Sequence, residues 1–114
     1  MAASEFTELS VRQLLARRRR LASGLSDPER TLRGSLLREG RQCSSERCRC
    51  HRGELHGPYP YLAVYLDGRS RTLYVPQAFA EVTESHVQDT QHNEALLGEI
   101  SLINLELLRR RALE

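Results

Sequence analysis

The chain has no lysine and no tryptophan, only 5% of its 114 residues are aromatic, and nowhere does it carry a long apolar run. Each absence excludes something. Spanning a bilayer takes about 20 consecutive apolar residues, so no membrane-spanning helix and no membrane partner are expected. The opening Met1-Ala-Ala-Ser-Glu-Phe lacks the charged-then-apolar order of a secretory signal, and a cytoplasmic protein is expected. Scarce aromatics and 28% charged residues leave the core to Leu, Val, Ile and Ala. A glycine-rich phosphate loop is missing, as are paired carboxylates in an apolar setting and a hydroxyl beside a plausible base, so the sequence does not point to an enzyme. At 114 residues the chain is expected to form one small domain, 1–114, of a size that leans on a metal or a partner subunit.

Cysteine is scarce too, but its three copies are crowded. Cys43, Cys48, Cys50 and His56 spell C-x4-C-x-C-x5-H within fourteen positions. Three thiolates and an imidazole make one tetrahedral set of the kind zinc takes in structural sites, so one structural Zn2+ is expected. In an extended segment Cys48 and Cys50 would point to one face. Ser44 to Arg47 would form the turn that brings in Cys43, and Gly53 with Gly57-Pro58 would fold the chain back to deliver His56. His51 is the poorer fourth ligand, because beside Cys50 in an extended chain it faces the other way. The competing readings are three inert thiols in a reducing cytosol or a thiol redox sensor with reactive cysteines and no metal. A disulfide framework fits less well with an odd count and no secretory signal.

The run Gly34-Ser-Leu-Leu-Arg, Cys43, Cys48-Arg-Cys50, Gly53-Glu-Leu-His56-Gly57-Pro58-Tyr59 and Tyr61-Leu, followed by Asp67-Gly68-Arg-Ser-Arg-Thr-Leu-Tyr74-Val75-Pro76, resembles a family of short bacterial and archaeal proteins catalogued as a domain of unknown function. The resemblance covers Arg33 to Pro76 and, more weakly, the leucine-rich C-terminal helix; its specific part is H-G-P-Y with C-x4-C-x-C upstream. It implies a neighbourhood of mobile elements and brings no activity with it. Family members carry a Gly-Lys-Pro-type turn after the first cysteine, where this chain has Ser44-Ser45-Glu46.

All 17 basic residues are arginine, which forks onto phosphate and stacks on bases as lysine cannot. From Arg30 to Arg71 nine arginines face four acids, a balance of +5, whereas Gln77 to Leu108 holds six acids and no arginine. One stretch is suited to an anion and the other is not.

In chain order, residues 1 to 6 read as loose, and Thr7 or Ser10 caps an N-terminal helix within 7–23, with Leu9, Val11, Leu14, Leu15 and Leu21 as its apolar stripe. Arg17 to Arg20 suit either a phosphate-contacting patch or a solvated, dipole-complementing helix end. Gly24 and Pro28 break the helix, and a short helical piece through Leu32 follows. Residues 34–76 hold a strand from Gly34 to Gln42, the Cys/His loop, and a hairpin that turns at Asp67-Gly68. If those two form the turn, Leu66 pairs with Arg69, Val64 with Arg71, Tyr65 with Ser70 and Ala63 with Thr72. That register puts arginines on the apolar face near the tip, which points to fraying there or to a longer loop.

Residues 77–113 read as a helical region in two pieces. One runs from Gln77 to about Asp89 with Phe79 and Val82 as core; the other runs from Asn93 or Glu94 to Ala112. Leu96, Leu97, Ile100, Ile103, Leu107 and Leu108 line the second, with Glu94, Glu99 and Glu106 elsewhere. Arg109 to Arg111 suit its C-terminal dipole. His86 and His92 read as surface histidines. The apolar face is broader than one small sheet covers, so the N-terminal helix, a second copy in a homodimer, or both would bury it. The expected fold is α+β: a small zinc-stapled antiparallel hairpin or three-stranded sheet flanked by an N-terminal helix and a long C-terminal amphipathic helix.

Two functions follow. In the first, a zinc-binding accessory protein holds DNA or RNA through Arg38, Arg41, Arg47, Arg49, Arg52, Arg69 and Arg71, with Tyr59 and Tyr61 available for stacking. In the second, an adaptor subunit of a larger nucleoprotein or transposase-type assembly docks on a protein partner through the leucine-rich helix.

Overall fold

A computed structural model describes the backbone of residues 3–114 and the side chains from Glu5 onward. Helix α1 spans Val11–Ser23, strands β1, β2 and β3 span Ser35–Arg41, His56–Leu66 and Arg69–Tyr74, and helix α2 spans Ala80–Arg109. The strands form one antiparallel sheet in the order β1-β2-β3. The expected α+β fold of a three-stranded sheet, an N-terminal helix and a long C-terminal helix is thus present. No helix among the described residues is long and apolar enough to cross a membrane. Tertiary contacts divide the chain into two compact units, residues up to Arg30 with Asp89–Glu114, and Thr31–Gln88.

The first unit is helical. Ser10 caps α1 through a reciprocal box: its hydroxyl accepts from the Gln13 backbone N–H at 3.1 Å, and the Gln13 side chain accepts from the Ser10 N–H at 2.8 Å. The apolar spacing that follows sends Leu14 into a core with Phe6, Ile103 and Leu107, all four fully buried, and Leu9, Val11, Leu15, Leu21 and Leu102 pack around them. Each such side chain contributes about 1.5–3 kcal/mol relative to exposure. Phe6 corrects the expectation of a loose N-terminus from Ala3 onward. Ala3–Glu8 is a 3-10 turn that delivers this ring to the core, while residues 1 and 2 lie outside the described residues.

Glu106, placed off the apolar face by its spacing, is nonetheless buried. It accepts from Arg109 and Arg110, and Arg110 in turn donates to the carbonyls of Leu9, Phe6 and Thr7 at 2.6, 3.1 and 3.0 Å. The guanidinium therefore satisfies backbone acceptors ahead of α1, a task beyond complementing a helix dipole. Hydrogen bonds from Arg109, then from Arg110, hold the Glu106 carboxyl below the ordinary carboxylate range. Of the arginine run, Arg17 lies over the Phe6 ring at 5.6 Å and Arg18 donates to Asn104 at 2.9 Å, whereas Arg19 and Arg20 are exposed.

Helix α2 is continuous where two pieces were expected. Asn93, where the second piece was expected to begin, lies inside the helix, and both ends of its amide are engaged: Oδ1 accepts from the Ser26 N–H at 2.7 Å and Nδ2 donates to the Ser26 carbonyl at 3.2 Å. Nothing else between Asp89 and Glu94 breaks a helix. His92 approaches the Gly24 carbonyl at 3.1 Å, so the segment after α1 is tied to α2 by two neighbouring side chains.

In the second unit, alternation along β2 buries Pro60, Leu62 and Val64 on one side. Leu62 and Val64 join Val75 and Val87 in a small core, with Leu32 and Leu36 against it. Phe79 and Val82, expected in this core, are 59% and 45% exposed. Ala80 and Val87, seven residues apart, fix the inward stripe of α2, and Val82 lies about 200° round the helix from Ala80. The hairpin register follows the Asp-Gly reading, with Leu66 opposite Arg69, Tyr65 opposite Ser70, Val64 opposite Arg71 and Ala63 opposite Thr72. Asp67 and Gly68 both have positive φ, 51° and 77°, as a two-residue turn of the hairpin-matched twist requires. The longer loop is therefore absent, and Arg69 and Arg71 stay in solvent at the end of the sheet.

Candidate metal centre

Between β1 and β2 the chain makes a loop of polar residues whose only buried side chain is Cys50. The Cys48 N–H donates to the Ser45 carbonyl at 3.1 Å, closing the expected turn after Cys43. Residues Arg49–Arg52 then wind into a 3-10 turn with Cys48 at its N-terminal cap, so the expected extended Cys48–Cys50 segment is corrected. Cys48 itself keeps extended backbone, φ −70° and ψ 145°, and its sulfur meets that of Cys50 across the start of the turn. Gly57 next turns the chain into β2 at φ 101°, where a Cβ would meet the Tyr59 backbone nitrogen at 2.6 Å, so only glycine fits beside His56.

The result gathers Cys43, Cys48, Cys50 and His56, whose ligand atoms all lie within 4.8 Å of one another. Cys43 Sγ and Cys50 Sγ are 3.6 Å apart, and Cys48 Sγ is 3.2 Å from His56 Nε2. Tetrahedral zinc bonds of about 2.0–2.3 Å place neighbouring ligand atoms roughly 3.5–3.8 Å apart, so the quartet is spaced to hold a metal ion. His51 is outside the quartet; its Nε2 donates to the Cys43 carbonyl at 2.9 Å and thereby braces the loop from the other side.

Backbone N–H groups converge on the sulfurs. That of Cys43 donates to Cys50 Sγ at 3.2 Å, and that of Cys50 stabilises the Cys48 thiolate. The Cys48 thiol is lowered to about 6, first by this backbone bond and then by the side chains of Cys50 and Cys43. Burial pushes Cys50 the other way. A thiolate is the form that ligates metal, and a buried one is stabilised by a cation.

The arginines named from the sequence do not share one surface. Arg47, Arg49 and Arg52 are exposed on the loop itself, with Arg49 4.0 Å from Glu54. Arg41 pairs with His56 across the sheet, after a bulge between Glu39 and Arg41. Its guanidinium lies 4.3 Å over the Tyr61 ring, donates to the Tyr61 hydroxyl at 3.0 Å and meets Glu39 at 2.9 Å. Arg38, Arg69 and Arg71 stand opposite Pro60, Leu66 and Val64, which puts them on the other side of the sheet from Tyr59 and Tyr61.

Tyr74 is the residue that the sequence reading did not select. It sits opposite Tyr61 and makes edge contacts with both Tyr61 and Tyr59, at centroid distances of 5.8 and 6.4 Å. The Asp-Gly register already implied the first pairing, so the signal for this cluster was present in the chain.

No curated protein and no solved structure matches the chain. A family model matches residues 11–84, more than half of the length, and this span takes in α1, the whole quartet and all three strands. The chain belongs to the family described as Domain of unknown function (DUF6788).

Proposed function

We propose that this protein is a small zinc-binding, nucleic-acid-binding accessory protein, in which one structural zinc ion shapes a loop whose arginines hold a phosphate backbone. One observation carries the reading: the exposed Arg47, Arg49 and Arg52 interleave with Cys48 and Cys50, so the residues that would grip the metal also fix the directions of the charges. Three sulfurs and an imidazole nitrogen favour zinc among the common metals, and four protein ligands leave no position open for catalysis. The metal's contribution would be folding free energy for a loop that has almost no apolar core of its own. Phosphate contacts made this way are sensitive to salt and nearly blind to sequence.

The test is elemental analysis of protein purified without chelators or oxidation, followed by titration with labelled DNA and RNA at low salt. One zinc per chain and a binding constant that falls steeply with salt are expected. His56→Ala should lose the metal, and replacing Arg47, Arg49 and Arg52 together should flatten the salt dependence by about the number of phosphate contacts removed. Absence of stoichiometric zinc, or of any affinity for DNA or RNA, sinks the reading.

A second reading is favoured by a separate feature. Leu97, Leu105, Leu108 and Leu113 are between 45% and 58% exposed near the C-terminus, an apolar surface suited to docking in a larger nucleoprotein or transposase-type assembly, or to a homodimer. Affinity capture with and without nuclease separates the two readings, because a protein contact survives digestion and a nucleic-acid bridge does not.

A further inference from the structure

We infer that the open face of the sheet is a stacking platform for unpaired bases, so that the ligand class is single-stranded DNA or RNA rather than duplex; this rests on the nucleic-acid reading above and deepens it. Pro60, Leu62 and Val64 take one side of β2 inward, which turns Tyr59, Tyr61 and Tyr65 to the other side together with Leu37 of β1 and Tyr74 of β3. On that side Tyr74 is 55% exposed, Tyr59 37% and Leu37 38%, an unusual amount of aromatic surface for a chain so poor in aromatics.

The chemistry of this face selects its occupant. Edge contacts between Tyr74 and its two neighbours hold the rings in place, so little side-chain freedom is lost when a base stacks on them. Glu39 is the acid on this face, and Arg41 neutralises it at 2.9 Å. Arg41 also joins the face to the metal loop, since it lies over Tyr61 and pairs with His56, so a strand whose bases sit on the exposed Tyr59 and Tyr74 has its phosphates within the reach of an arginine-rich loop. A duplex hides its base faces within its own stack and offers only phosphates here. An unpaired strand offers both, and each stacked base adds about a tenfold to hundredfold gain.

The experiment uses the full, zinc-loaded protein and fluorescence anisotropy with four labelled ligands of equal length: single-stranded DNA, single-stranded RNA, duplex DNA and an abasic strand that keeps the phosphates. Single strands are expected to bind at least tenfold tighter than the duplex or the abasic strand, and the preferred sugar identifies which nucleic acid is the source of the ligand. Tyr74→Leu, which keeps apolar bulk and removes the ring, should lose about ten- to a hundredfold on single strands and nothing on the abasic strand. Equal affinity for intact, abasic and duplex ligands overturns the stacking platform while leaving phosphate binding in place. Failure to bind all four overturns the nucleic-acid reading itself, and with it this inference. The abasic comparison needs only the natural sequence, so a variant that folds poorly cannot blur the result.

Discussion

The two units of this chain are held in contrasting ways. The helical unit is secured by four fully buried apolar side chains and by Arg110, which gathers three backbone carbonyls on a guanidinium neutralised by Glu106. The other unit has a core of four smaller aliphatics, a third strand whose every residue is exposed, and a polar loop with one buried cysteine. The contrast teaches where an external ligand matters. Packing dominates in the first, whereas the second adds to its small core a quartet of side chains close enough to bind a metal ion.

The largest expected effect breaks the contrast from the metal side. Chelation should release backbone amides of residues 43–57 to hydrogen exchange by several orders of magnitude, since structural zinc contributes about 10–16 kcal/mol in small domains, while amides of α1 and the end of α2 stay protected. Uniform loss of protection across both units would erase the distinction.

Next comes a perturbation of the helical unit. Leu107→Ala empties a fully buried position and should cost about 2–5 kcal/mol in denaturant unfolding, with zinc stoichiometry unchanged. Loss of metal on this substitution would mean that the units are not separable.

The smallest effect sharpens the comparison through pH. Because the Glu106 carboxyl is held below its ordinary value of about 4.3, its contribution is complete above that value and is lost as pH falls through the lower, folded one. Glu106→Gln should lower the melting temperature by several degrees at neutral pH, and its deficit should shrink under acid. A deficit independent of pH would show that the carboxylate's charge is not what holds Arg110.

Much of this was legible in the chain. The Asp67-Gly68 dipeptide offered the hairpin register that the structure adopts, though the arginines it placed near the tip argued for a longer loop, and the crowding of Cys43, Cys48, Cys50 and His56 marked the quartet, because both signals are local. What escaped depends on distant partners. Phe6 looks like part of a loose tail until Ile103 and Leu107 come beside it, and Arg110 looks like a complement to the helix dipole until it joins Glu106 to the carbonyls ahead of α1. Asn93 reads as the start of a second helix because its partner, Ser26, is 67 residues away. The backbone after Cys48 was misread for a different reason: C-x-C spacing fits an extended Cys48 followed by a turn as well as it fits a strand, so spacing alone does not choose between them.

All four tyrosines, at positions 59, 61, 65 and 74, belong to β2 and β3, and the chain has no tryptophan to mask them. Tyrosine dichroism, at near-ultraviolet wavelengths longer than those phenylalanine absorbs, is therefore a private channel from the sheet, while the far-ultraviolet helix bands are dominated by α1 and α2. Two wavelengths in one cuvette follow the strands and the helices separately, without a label or an added chromophore.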